Sequence, residues 1–204
     1  MASAAQSLIA DLETVLVQAP ESWSGTALRR LTDLFLSSAE LYTTDQVAVF
    51  DDVMCRLIDK VGRPLLTELS NKLAPIDNGP AQVVANLARH NDNAICGPVL
   101  EKSKALSDEA LIEIVERPRR DQTPLMKIAA RAQLSEAVTD VLLKRGTLAI
   151  QRKIIDNAQA RVSEAGFARL VTGVNGDKDM ATAIAAREDL PAELRPWLAP
   201  LLEG

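Results

Sequence analysis

Four short stretches recur down the second half of this chain at a constant interval. Leu106-Ser107-Asp108-Glu109 is followed by Leu134-Ser135-Glu136-Ala137, then Val162-Ser163-Glu164-Ala165, then Leu190-Pro191-Ala192-Glu193, and every step is 28 residues. A hydrophobe, a small capping residue and a nearby acid returning at one spacing mark a stacked repeat, in which each unit buries its apolar face against the next. That leaves little freedom of architecture and says little about activity.

The residue content makes the repeating element a helix. Of 204 residues, 47% are hydrophobic and 25% charged, but only 3% are aromatic, and the 9 glycines and 10 prolines fall mainly at element boundaries. Chains rich in Leu, Ala and Val with so few aromatics favour helices packed on helices.

Ahead of the repeats the pattern predicts four helices. The first covers Ser7 to Gln18 and stops at Ala19-Pro20; the second runs from about Ser24 to Ala39 with Leu28, Leu31, Leu34 and Phe35 on one side. In the third, Val47, Phe50, Val53, Met54, Leu57, Ile58 and Val61 keep a 3.6-residue period between an N-cap at Thr44 and a stop at Gly62. Pro64 opens the fourth as a first-turn residue. Asp77-Asn78-Gly79-Pro80 is the strongest turn cluster of this half and predicts the junction between an N-terminal bundle, residues 1–79, and a repeat region, residues 80–204, packed together.

Each repeat reads as a helix pair. Ser107, Ser135 and Ser163 are N-caps of the first helices, with Asp108, Glu109, Glu136 and Glu164 at their positive ends. Gly146, Gly173 and Pro118 end those helices. The second helices are expected at about Pro124–Arg131, Leu148–Asn157 and Asp179–Arg187. An earlier pair fits Pro80 to Ala105, with Gly97-Pro98 starting or kinking its second helix. Leu190 to Leu202 forms a terminal cap over the last open face.

The stretch Leu134-Ser135-Glu136-Ala137-Val138-Thr139-Asp140-Val141-Leu142-Leu143-Lys144-Arg145-Gly146 resembles the bacterial domain-of-unknown-function family 2336. Leu34-Phe35-Leu36, Phe50-Asp51-Asp52-Val53, Pro98-Val99-Leu100 with Leu106-Ser107-Asp108, and Asn157-Ala158-Gln159-Ala160-Arg161 resemble it too, so that the likeness spans roughly residues 28 to 195. The resemblance implies an all-helical, HEAT-like fold. It implies no activity and no catalytic residues.

Composition narrows the chemistry. Formal net charge is −5, and it is uneven: residues 1–79 carry 6 Lys/Arg against 11 Asp/Glu, while residues 80–204 carry 17 of each. That balance argues against a nucleic-acid partner, which needs a basic footprint. With one histidine, His90, and two isolated cysteines, Cys55 and Cys96, no metal-ligand spacing exists, and neither metal nor cofactor is expected. His90 reads as a cation near a helix C-terminus, Asn175-Gly176-Asp177-Lys178-Asp179 as a turn, and Asp51-Asp52 as the solvated face of an amphipathic helix. No basic leader and no apolar run of about 20 residues is present, so a cytoplasmic protein with no membrane segment is expected.

One constellation remains. Arg89, Arg117 and Arg145 are spaced 28 and 28, with Arg119 and Arg120 beside the middle one. Equivalent positions align along one edge of a stack, so these guanidiniums are expected in a row. They serve either as cations on helix C-termini or as a site for an acidic or phosphorylated segment of a partner protein.

The sequence therefore predicts an all-α chain: an N-terminal helical bundle running into a HEAT-like α-solenoid of 28-residue helix pairs. The function it favours is a non-enzymatic interaction module in bacterial regulation or signalling. A HEAT-like nucleic-acid enzyme, such as the helical-repeat DNA glycosylases, and a structural homo-oligomer are the alternatives.

Overall fold

The computed structural model describes residues 24–118 and 120–202. The helix expected over Ser7–Gln18 and the side chain of Arg119 lie outside the described residues. Within them the chain is all α-helical, and its only strand-like feature is an isolated parallel bridge between Leu134 and Ala160. No helix among them is long and apolar enough to cross a membrane. The chain divides into two compact units, Met1–Leu106 and Ser107–Gly204. The turn at Asp77–Pro80 falls inside the first.

The first unit holds α1 (Ser24–Leu36), α2 (Thr44–Ile58), α3 (Arg63–Leu73), α4 (Ala81–Ala88) and α5 (Asn93–Lys102). Helix α1 packs on α2 and α3, α2 packs on α4, and α3 packs on α5. The stripe read from the sequence buries Val47, Phe50, Val53, Met54, Leu57 and Ile58. Phe50 meets Phe35 edge-on at 5.2 Å and Tyr42 at 5.0 Å, gathering three of the chain's few aromatics at one core site. The helix boundaries differ from the expected ones. Thr43, not Thr44, caps α2, in a reciprocal box with Gln46, and Gly62 begins α3 instead of ending α2. Pro98 does not start a helix either. It lies inside α5, which begins at Asn93 because the Asp92 carboxylate accepts the Ala94 N–H at 2.9 Å. A short polar cap outranked the proline as a start signal.

The second unit holds α6 (Asp108–Glu116), α7 (Thr123–Ala129), α8 (Glu136–Arg145), α9 (Leu148–Ile155), α10 (Glu164–Thr172), α11 (Lys178–Ala185) and a closing α12 (Arg195–Leu202). Ser107, Ser135 and Ser163 each accept the backbone N–H three residues on, from Ala110, Val138 and Gly166. The 28-residue period is thus a ladder of helix N-caps, each contributing about 1 kcal/mol. Helices α6, α8 and α10 pack in succession, as do α7, α9 and α11. Gly146 is needed for close approach and not for a left-handed turn. Its φ is −79°, but a Cβ there would come within 2.6 Å of the Leu142 carbonyl and 2.7 Å of Ile150.

The loops that follow α9 and α11 tie their helices to the preceding part of the second unit. Asn157 donates to the Arg131 carbonyl at 2.8 Å, and Arg161 N–H to the Leu134 carbonyl at 2.9 Å. Arg187 then reaches back to the carbonyls of Ile154, Ile155, Asn157 and Ala160 at 3.3, 3.3, 2.9 and 2.7 Å. A guanidinium carries five N–H donors in a rigid fork, which suits it to satisfy the buried carbonyls at the C-terminus of α9 and in the loop after it.

Candidate functional site

Arg117 owes its direction to the residue after it. Clash with a following proline drives a residue out of the helical region, and Arg117, ahead of Pro118, adopts φ −61° and ψ 130°. Helix α6 therefore stops at Glu116, and α7 starts at Thr123. Arg145 is the last residue of α8, where the tight Gly146 turn ends the helix. The two arginines, together with Val115, Pro118, Gln122 and Leu125, line one cleft of about 290 Å³.

The floor and rim of this cleft differ in character. Val115 and Leu125 are buried core residues at 1% and 2% exposure, so the floor is fixed and apolar. Arg117 is half-exposed and pairs with Glu113 one turn back at 2.6 Å. An exposed pair of this kind contributes about 0.3–0.5 kcal/mol and leaves most guanidinium donors unused. Arg145 is exposed, and no hydrogen bond or ion pair engages its side chain among the described residues. The Gln122 Oε1 is buried and accepts no hydrogen bond among the described residues. Leaving such an acceptor unsatisfied costs about 1–3 kcal/mol.

The expected row of three is divided between the units. Arg117 and Arg145 share the cleft, while Arg89 is the half-buried C-cap of α4 in the first unit. Arg120 is exposed on the α6–α7 loop and does not line the cleft. Its neighbour Asp121 accepts the Thr123 N–H at 2.8 Å and hydroxyl at 2.6 Å, which shapes the turn into α7.

Asp51 corrects the sequence reading of a solvated acid pair. Asp52 is exposed and pairs with Arg56, but Asp51 is 6% exposed, and its carboxylate accepts the Gln82 and Val83 N–H groups at 2.8 Å each. It caps α4 from the side of α2. No sequence pattern announces such a cap, because its partner amides are about thirty residues away. Beside it, Cys55 is half-buried; burial first, and then the Asp51 charge, push its thiol up to about 11. It stays protonated near neutral pH and is a poor nucleophile. His90 uses Nδ1 to accept the Asp92 N–H at 3.0 Å, a local turn contact. Among the described residues no group of three His, Cys, Asp or Glu could hold a metal ion. Asn175 and Gly176 adopt positive φ, and Asp177 caps α11, so that stretch is a turn.

Residues 95–203, more than half of the chain, match the model of the bacterial domain-of-unknown-function family 2336, described as an uncharacterised protein conserved in bacteria. The chain belongs to this family. The match includes the cap ladder and every residue lining the cleft, whereas Arg89, Leu34-Phe35-Leu36 and Phe50–Val53 precede it. No curated protein and no solved structure matches the chain.

Proposed function

We propose that this member of the family is a non-enzymatic protein–protein interaction module. In this reading its second unit is a short HEAT-like solenoid of 28-residue helix pairs. The serine cap ladder and the successive packing of alternate helices support that description. Stacked helix pairs present extended surfaces to other chains, a property of the architecture and not of any one residue. The observation that carries the proposal is the convergence of two arginines, equivalent in the repeat, on a cleft with an apolar floor. The occupant is an acidic or phosphorylated segment of another protein. Free thiols at Cys55 and Cys96 suit a reducing, cytoplasmic setting, and the bacterial family suits a role in regulation or signalling.

The apolar stripe of α2 would favour a structural homo-oligomer only if it were exposed, and it is buried inside the first unit. The test is capture from native bacterial extract by the immobilised full chain. Wild type is expected to retain partners that Arg117→Ala/Arg145→Ala loses, with unchanged circular dichroism. Identical capture by both would overturn the assignment of the cleft.

A further inference from the structure

We propose that the turn around Leu41 in the first unit docks a basic amphipathic helix of another protein. Leu41 seats between apolar side chains of that helix, and Glu40 and Asp45 meet its lysines or arginines. This is a second surface, opposite in sign to the arginine cleft, and it does not depend on the reading of that cleft.

Leu41 is held out toward solvent by the fold. At 83% exposure it is the most exposed large hydrophobic side chain among the described residues. A single exposed leucine is ordinary on a protein surface. Here, however, the backbone on both sides of it is tied down. The Leu41 N–H donates to the Ser38 carbonyl at 2.9 Å, closing a 3-10 turn over Ala39–Leu41, and Ala39 is 4% exposed. Tyr42 packs its ring 5.9 Å from Phe35 and 5.0 Å from Phe50. Asn78, from the turn cluster that stands out in the sequence, donates to the carbonyls of Ala39 and Tyr42 at 3.4 and 3.0 Å. The leucine is thus presented from a fixed turn, and little chain freedom is lost when a partner covers it.

The charge around the turn selects the partner. From Leu31 to Cys55 the sequence has no Lys, Arg or His and five carboxylates. Three are spent within the fold: Asp33 on Lys72, Asp51 on the amides of α4, and Asp52 on Arg56. Glu40 and Asp45 are exposed and form no ion pair among the described residues. Asp45 also suits the positive end of α2, whereas Glu40, in a single 3-10 turn, has no long helix to serve. A leucine between two unspent carboxylates complements an apolar hollow edged with cations. An amphipathic helix with Lys or Arg beside its apolar stripe has such hollows between its turns. Other occupants carry the wrong sign. Residues 1–23 contain Asp11, Glu13 and Glu21 and no Lys or Arg, and a second copy joined turn to turn opposes like charges. Anionic lipid and nucleic acid are repelled as well.

The experiment titrates the full chain into a fluorescein-labelled peptide with Lys and Leu at amphipathic-helix spacing, followed by anisotropy. Lys–Ser and Asp–Leu peptides of the same length are separate arms. Saturable binding of the Lys–Leu peptide alone is expected, weakened by added salt. Leu41→Ser keeps every charge and should weaken binding about tenfold or more, by loss of the covered side chain, with an unchanged unfolding midpoint. Glu40→Gln/Asp45→Asn should weaken it several-fold and flatten the salt dependence. Arg117→Ala/Arg145→Ala should leave it unchanged. In the unaltered chain the Leu41 methyl resonances should shift on peptide addition, which tests the surface even if a variant fails to fold. Equal binding by wild type and Leu41→Ser, unmoved Leu41 resonances, or equal binding of the Lys–Ser peptide overturns the inference. So does dimerisation in light scattering that Leu41→Ser abolishes, which would assign the turn to a second copy. Leu41-dependent binding to phosphatidylcholine or phosphatidylserine vesicles overturns it too, in favour of a lipid surface. None of these failures touches the proposed function, because capture through Arg117 and Arg145 is read separately.

Discussion

Two regions of the second unit use arginine in opposite ways. Arg187 is sunk to 6% side-chain exposure. It lies 5.5 Å over the Phe167 ring, donates to four carbonyls and pairs with Asp189 at 2.7 Å. Arg117 and Arg145 stand at the rim of a cleft, one with a single helical neighbour and the other with no partner among the described residues. The residue type is the same, but the saturation of its donors differs. A guanidinium whose N–H groups are consumed by its own chain is part of the scaffold, and one whose donors are unspent is open to another molecule.

The contrast predicts a graded series of effects. The largest belongs to Arg187→Ala, which strands carbonyls of α9 and its following loop away from water. A loss of about 3 kcal/mol is expected in urea unfolding, below the full cost of a broken buried pair because Asp189 is half-exposed and can rehydrate. Arg187→Lys should recover little of it, since an ammonium lacks the planar fork. A loss below about 0.5 kcal/mol, the range of ordinary surface changes, would remove the distinction between the two regions.

A smaller effect of opposite sign is expected where a buried polar atom lacks a partner among the described residues. Thr139 is fully buried on α8, and its hydroxyl makes no hydrogen bond among the described residues. It occupies the position that Leu111 and Phe167 fill in the neighbouring helix pairs, both buried. Thr139→Val should raise stability by about 0.5–1 kcal/mol, because it removes a desolvated hydroxyl and keeps the shape. Destabilisation by Thr139→Val would mean that the hydroxyl has a partner.

The smallest effect on stability is expected at the cleft itself. Arg117→Ala/Arg145→Ala should unfold within about 0.5 kcal/mol of wild type, as exposed arginines do, while losing partner capture. A large fall in melting temperature would place these residues in the scaffold with Arg187.

Much of the scaffold was legible beforehand for a local reason. A serine cap, its acidic neighbour and the apolar stripe behind it act within about one helical turn, so Ser107, Ser135 and Ser163 carry their meaning in adjacent letters. Boundaries were less secure wherever two local signals competed, as at Thr43 against Thr44 and at Asp92 against Pro98. Asp51 was misread because its partners, the Gln82 and Val83 amides, come from another helix. Its own helix shows only an acid beside an acid.

The arginines show where local reading ends. Arg117 and Arg145 stand out by their 28-residue spacing, and Arg131 and Arg187 lie at twice that interval, yet spacing gives no hint of which donors are spent. By itself the sequence determined that the chain is helical, where its helix pairs begin, and that arginines recur in phase. Tertiary structure decided which of them became a clasp and which line a cleft. Hydrogen-bond saturation depends on carbonyls and carboxylates brought from distant positions, and only packing brings them within hydrogen-bonding distance.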